Sequence, residues 1–62
     1  MNKKILQTDA DLQNSIYFQW EVEVWIGREF EMICMISGYD ENVIKVVGGG
    51  FYLRENVLLK IN

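Results

Sequence analysis

Residues 18–37 read Phe18-Gln19-Trp20-Glu21-Val22-Glu23-Val24-Trp25-Ile26-Gly27-Arg28-Glu29-Phe30-Glu31-Met32-Ile33-Cys34-Met35-Ile36-Ser37. Phe18, Trp20, Val22, Val24 and Ile26 alternate with Gln19, Glu21, Glu23 and Trp25, the period-two signature of a strand buried on one face. Gly27-Arg28 interrupts the run, and Gly first is what a two-residue type II′ hairpin needs. The return strand puts Phe30, Met32, Cys34 and Ile36 on one face and Glu29, Glu31, Ile33 and Met35 on the other. Its second half is apolar on both faces.

Working outward, Ser37-Gly38-Tyr39-Asp40-Glu41-Asn42 is turn-rich. Val43 to Val47 predicts a third strand, and Gly48-Gly49-Gly50 a turn of wide backbone freedom. Phe51-Tyr52-Leu53 predicts a fourth strand and Arg54-Glu55-Asn56 a tight corner. Val57, Leu59 and Ile61 form one face of a fifth strand, opposite Leu58 and Lys60. On the N-terminal side, Thr8 and Asp11 resemble a capping box with Asp in place of Glu, and Asn14-Ser15 breaks the pattern. The expected fold is mainly β and a single domain over residues 1–62. A short helix near 9–14 precedes about five short antiparallel strands, near 17–26, 29–37, 42–47, 51–53 and 57–61. A strongly bent sheet or small barrel closes so short a chain with the fewest open edges.

The chain has 62 residues, with 13 Val plus Ile and 8 aromatics, which excludes disorder. Folding at this size buries only roughly 60% of the extended surface, so small domains lean on disulfides, metals or oligomers. A single Cys34 makes no internal disulfide and fits a reducing compartment. With no His and one Cys, a zinc site has almost no ligands. Oligomerisation is the support that is left. No apolar run reaches the roughly 18 residues of a membrane span, and the stretch from Met1 to Leu6 is too short for a signal peptide. A cytoplasmic protein is expected.

The net charge of −3 is unevenly spread. Residues 1–20 balance. Residues 21–42 sum to −5 (six acidic residues against Arg28), and residues 43–62 to +2 (Lys45, Arg54 and Lys60 against Glu55). Catalysis has little to draw on: without His there is no Ser-His or Cys-His pair, and Cys34 reads as a small core hydrophobe. No catalytic residue, cofactor site or metal site is expected. The glycine run is followed by no helix and no Lys-Ser or Lys-Thr, so a phosphate loop is excluded on context.

Two surfaces stand out. The hairpin turn is expected to put Glu29 and Glu31 beside Glu23 and Glu21 on one face, where like charges oppose one another. Such a face is commonly no more than a solvated strand surface; functionally it would meet a basic partner. Trp25, Ile33, Met35 and Leu58 lie opposite the expected core and mark an interface. The competing reading covers them with the N-terminal helix, Ile5, Leu6 and Leu12. Arg54, Lys45 and Lys60 beside Tyr52 and Phe51 form the only basic patch the sequence offers to nucleic acid.

The order of a short helix and five bent strands resembles the Sm-like and SH3-like small barrels. Val22–Gly38 followed by Tyr39-Asp40 looks like the first Sm motif, and Leu53-Arg54-Glu55-Asn56-Val57 like the second. Two positions depart: no glycine follows Arg54, and Asn42 follows Asp40 by two residues instead of about four. The run Val22–Ile61 is also similar to the YolD-like proteins of Gram-positive bacteria and their phages. The expectation is therefore a non-enzymatic homo-oligomer, a dimer first, that binds another protein. With that resemblance, small size and acidity suggest a phage or mobile-element inhibitor of a basic or DNA-handling host protein. The alternative implied by the Sm resemblance is a nucleic-acid-binding oligomer using Tyr39, Asp40, Arg54 and Asn56.

Overall fold

A computed structural model describes residues 3–62; Met1 and Asn2, the start of the stretch weighed as a leader, lie outside them. The element order is β1 (Lys4–Leu6), α1 (Asp9–Tyr17), β2 (Val22–Ile26), β3 (Glu29–Cys34), β4 (Ile36–Tyr39), β5 (Val43–Val46), β6 (Gly50–Leu53), a 3-10 turn (Arg54–Asn56) and β7 (Val57–Ile61). The strands form two antiparallel sheets, ordered β1-β7-β2-β3 and β4-β5-β6. The mainly-β expectation holds at this level, with two sheets and no closed barrel. No helix among the described residues is long and apolar enough to cross a membrane.

The helix begins where the sequence places it. Thr8 Oγ1 accepts from the Asp11 backbone N–H, while the Asp11 carboxylate accepts from the Thr8 N–H, the reciprocal pair of a capping box. It ends later than expected. Ser15 is fully buried, and its hydroxyl donates to the Leu12 carbonyl at 2.7 Å. A hydroxyl satisfied within its own helix does not break it. The helix therefore runs to Tyr17 and stops in a Schellman motif: Trp20 N–H bonds Ser15 O and Gln19 N–H bonds Ile16 O, with Gln19 at φ 54°. Residues 17–20, expected as strand, are helix end and turn. Phe18 is 58% exposed and stacks at 5.7 Å on Trp20, which packs on the core.

The Gly27-Arg28 hairpin forms with Ile26 opposite Glu29. Gly27 sits at φ 62° while Arg28 keeps a negative φ, the type II′ pattern. Beyond the turn the register slips. Val24 pairs with Met32 but Trp25 pairs with Phe30, so Glu31 is an extra residue, a β-bulge. A second slip leaves Ser37 extra between Ile36↔Val46 and Gly38↔Lys45. Bulges bend a strand and increase its twist. The two flank the point at which the single expected strand 29–37 leaves one sheet as β3 and enters the other as β4.

Two further differences concern the N-terminal segment. Lys4–Leu6 is a strand, pairing antiparallel with β7; three residues are too few to show periodicity. Leu6 and Leu12 then join the main core with Val22, Val24, Ile36, Ile44 and Leu59, instead of making a second small core under the outer face. Val46 is also buried. Helix α1 packs against β4. Side chains this deeply buried contribute about 1.5–3 kcal/mol each, against a total stability of roughly 3–9 kcal/mol for a chain this long.

Candidate interaction site

Register decides which residues share the outward face of the four-stranded sheet. Glu23 stands opposite Ile33 on β3 and Lys60 on β7; Trp25 stands opposite Phe30 and Leu58. Ile5 stands opposite Lys60. In antiparallel pairs opposite residues point the same way. Trp25, Phe30, Ile33, Leu58 and Ile5 therefore occupy one face, away from Val22, Val24 and Leu59. Ile5, Phe30, Ile33 and Leu58 remain 38%, 49%, 53% and 37% exposed. Helix α1 does not cover them, since it lies against β4.

Of the four apolar residues singled out from sequence, Trp25, Ile33 and Leu58 fall on this face. Met35 adjoins it: Ile33 and Met35 line a groove of about 520 Å3 with Met32, Cys34, Val47 and Glu21. Phe30, expected in the core, is placed opposite Trp25 by the two-residue turn itself, which sets Ile26 opposite Glu29, and it meets Trp25 edge-on at 5.6 Å. The Glu31 bulge acts beyond that pair and brings Ile33 to the outward face opposite Glu23. The Gly27-Arg28 turn therefore carried the signal for Phe30, whereas Ile5 was hidden by the shortness of β1.

Each charge on this face has a neighbour. Lys60 Nζ lies 4.4 Å from the Trp25 ring centroid, a cation–π contact. Glu23 pairs with Lys3 and accepts from the Trp25 indole N–H at 3.0 Å. Those bonds, Lys3 first, hold the Glu23 carboxyl below its usual range.

The acidic quartet is not one cluster. Glu29 stands opposite Ile26, on the side away from Glu23 and Trp25. Glu31 occupies the bulge, and its charge helps raise the Tyr52 phenol, behind the larger effect of desolvation. Glu21 sits at the end of the groove. Among the described residues no group of three or more Asp, Glu, Cys or His side chains is placed to hold a metal. Cys34 is half-buried and its thiol is pushed up by desolvation.

Tyr39, Asp40 and Arg54 do come together, bound to one another and to α1. Arg54 Nη1 donates to Asp9 Oδ1 at 2.8 Å and to the Asp40 carbonyl at 2.7 Å, with its guanidinium carbon 6.0 Å from the Tyr39 ring centroid. The Asp40 carboxylate accepts from the Asn42 and Val43 backbone N–H groups, both at 2.8 Å, which lower its pKa. The adjoining hollow is lined by Glu41, Asn42, Leu53, Arg54 and Glu55, so carboxylates border it. Asn56 follows Arg54 in the 3-10 turn. The expected basic patch is dispersed: Lys60 lies over Trp25 on one sheet, Lys45 opposite Phe51 on the other, and Arg54 is bound to the helix start.

Comparisons with known protein families, with curated proteins and with solved structures found no match to this chain.

Proposed function

We propose that this protein is a non-enzymatic binding module that self-associates, as a dimer, through the outward face of the four-stranded sheet. One observation carries the reading: Trp25, Phe30, Ile33, Leu58 and Ile5 share a face that neither α1 nor the second sheet covers. An antiparallel sheet commonly turns a polar face to water, whereas this one sets five large apolar side chains around the opposed Glu23 and Lys60. With roughly 200 Å2 per large side chain, the four exposed residues offer roughly 350 Å2 of apolar surface. Burying it on both copies removes roughly 700 Å2 of apolar surface from water, the small end for a protein interface, so a weak dimer of about micromolar affinity is expected. The Lys3–Glu23 pair and the Lys60–Trp25 contact offset part of the cost of burying these charges.

The strand that bends from β3 into β4 between two short sheets also supports reading the chain as an open relative of the SH3-like and Sm-like small barrels. The carboxylates of the central hairpin steer a basic protein partner, since complementary charge raises association rates. An inhibitor of a host DNA-handling protein fits that chemistry.

Size-exclusion chromatography with light scattering across a dilution series tests the dimer. The expected result is a dimer that dissociates near micromolar concentration, and a monomer for Trp25→Glu, with Ile33→Lys as a second disrupting variant. A wild-type chain that stays monomeric well above about 100 µM sinks the reading.

The convergence of Tyr39, Asp40 and Arg54 favours a second reading, binding of single-stranded nucleic acid with Asn56. It requires affinity that falls as salt rises. The Asp9 and Asp40 contacts of Arg54 and the neighbouring Glu41 and Glu55 argue against it.

A further inference from the structure

Strand β3 ends the four-stranded sheet and is hydrogen-bonded on one side only, to β2. Residues Glu29–Ile33 are exposed throughout. The four consecutive residues Met32–Met35 line the groove of about 520 Å3, with Val47 and Glu21 completing it. Consecutive residues on a strand point to alternate faces. A groove lined by all four therefore follows the strand's edge. Strand β6 approaches this edge through a side chain, the Tyr52 hydroxyl lying 3.1 Å from the Met32 sulfur. Among the described residues, β2 is the only strand paired with Glu29–Cys34; beyond them the edge closes, since Met35 O accepts from the Val47 N–H at 2.9 Å.

We propose that this edge accepts an extended segment of a partner protein as an added strand, and that the segment alternates basic and apolar residues. The proposal rests on the reading of the chain as a protein-binding module and names where it binds and what. An edge strand is a template for pairing: main-chain bonds supply affinity and alternate side chains supply choice. Charge decides the choice. Ion pairs among the described residues engage Glu23, Asp11 and Asp9. Glu29 and Glu31 along the edge and Glu21 in the groove have no ion-pair partner among them. Basic side chains on the face that Glu29 shares with Ile26 meet Glu29, beside Glu31 at the bulge. Apolar side chains on the other face of the incoming strand lie along Phe30 and Ile33.

A second copy of β3 fits the same edge badly. Antiparallel self-pairing brings Glu29 and Glu31 of both copies to one seam, between chains of net charge −3 each. Like charges across strands destabilise. The like charges guard against self-pairing while favouring a cationic strand.

The test uses fluorescence anisotropy at low salt with three short labelled peptides: alternating Val and Lys, alternating Val and Glu, and the Val-Lys peptide N-methylated at alternate backbone nitrogens. Binding is measured on the wild-type chain and on Trp25→Glu. The Val-Lys peptide is expected to bind, and the Val-Glu peptide about tenfold more weakly from its lost surface ion pairs. N-methylation, which removes main-chain donors, should abolish binding. The peptide should slow amide exchange within Glu29–Cys34. The double variant Glu29→Lys, Glu31→Lys should reverse the preference; if it fails to fold, the N-methylated peptide decides alone. Equal binding of the Val-Lys and Val-Glu peptides, indifference to N-methylation, or protection elsewhere overturns the proposal. A dimer without peptide binding also overturns it and spares the self-association reading. A monomer that binds the peptide does the reverse.

Discussion

Replacing Gln19 by glycine should stabilise the protein, and the structure says by how much. Gln19 lies at φ 54°, the left-handed position that ends α1 and launches the chain towards β2. Its side chain is exposed and takes part in no hydrogen bond among the described residues, so deletion removes no packing. An L-residue in this conformation carries a cost of roughly 1–2 kcal/mol. Glycine relieves it but adds roughly 0.5–1 kcal/mol of unfolded-state entropy. The balance is a gain of about 0.5–1 kcal/mol, provided the bonds from Trp20 N–H to Ser15 O and Gln19 N–H to Ile16 O persist. For a domain of this size that raises the melting temperature by about 2–8 °C. Thermal and urea denaturation followed by far-ultraviolet circular dichroism at fixed protein concentration would measure it, ideally in the Trp25→Glu background to remove any contribution from association. Gln19→Val should lower stability, because a β-branched residue tolerates this φ poorly. A glycine variant no more stable than wild type, or a valine variant as stable, would refute the helix end described here.

Three further outcomes are expected. Thr8→Ala removes the side-chain half of the capping box and should lower stability by about 1 kcal/mol in urea titrations. The carboxyls of Asp11, held down by the Gln7 and Thr8 backbone N–H groups, Asp40 and Glu23 all titrate below their ordinary values of 3.8, 3.8 and 4.5. A lowered folded-state pKa means stability present above the ordinary value and lost as pH falls through the lowered one, so the urea midpoint should drop below about pH 4, and Asp11→Asn with Asp40→Asn should flatten that drop. Cys34, its thiol raised from 9.0 by desolvation, should react with iodoacetamide more slowly than a free cysteine peptide at pH 8; equal rates would contradict its placement against the core.

The alternation of residues 22–26, the glycine at Gly27, the capping pair Thr8 and Asp11, and the Val57–Ile61 pattern were legible in the sequence because each is local. Capping, turn chemistry and period-two burial depend on neighbours a few residues away. Trp25 and Leu58 were legible as outward-facing for the same reason, whereas Ile33 takes the outward face only through the Glu31 bulge. Where Asn14-Ser15 read as a helix break, the buried Ser15 hydroxyl found its acceptor one turn back, a choice that only burial enforces.

Register, by contrast, belongs to tertiary structure. The bulges at Glu31 and Ser37 leave the apolar alternation of residues 29–37 intact, yet each changes which partner a residue meets. The first brings Met32 opposite Val24 and Ile33 opposite Glu23, while the two-residue turn alone sets Phe30 opposite Trp25 and Glu29 opposite Ile26. Both bulges accompany the bend that carries one strand from sheet to sheet. The sequence by itself determined a mainly-β chain with too much apolar surface for its length and an acidic central hairpin. Packing decided that the apolar excess lies on one sheet face and that the carboxylates line an edge, because strand pairing between distant segments depends on contacts no local pattern records.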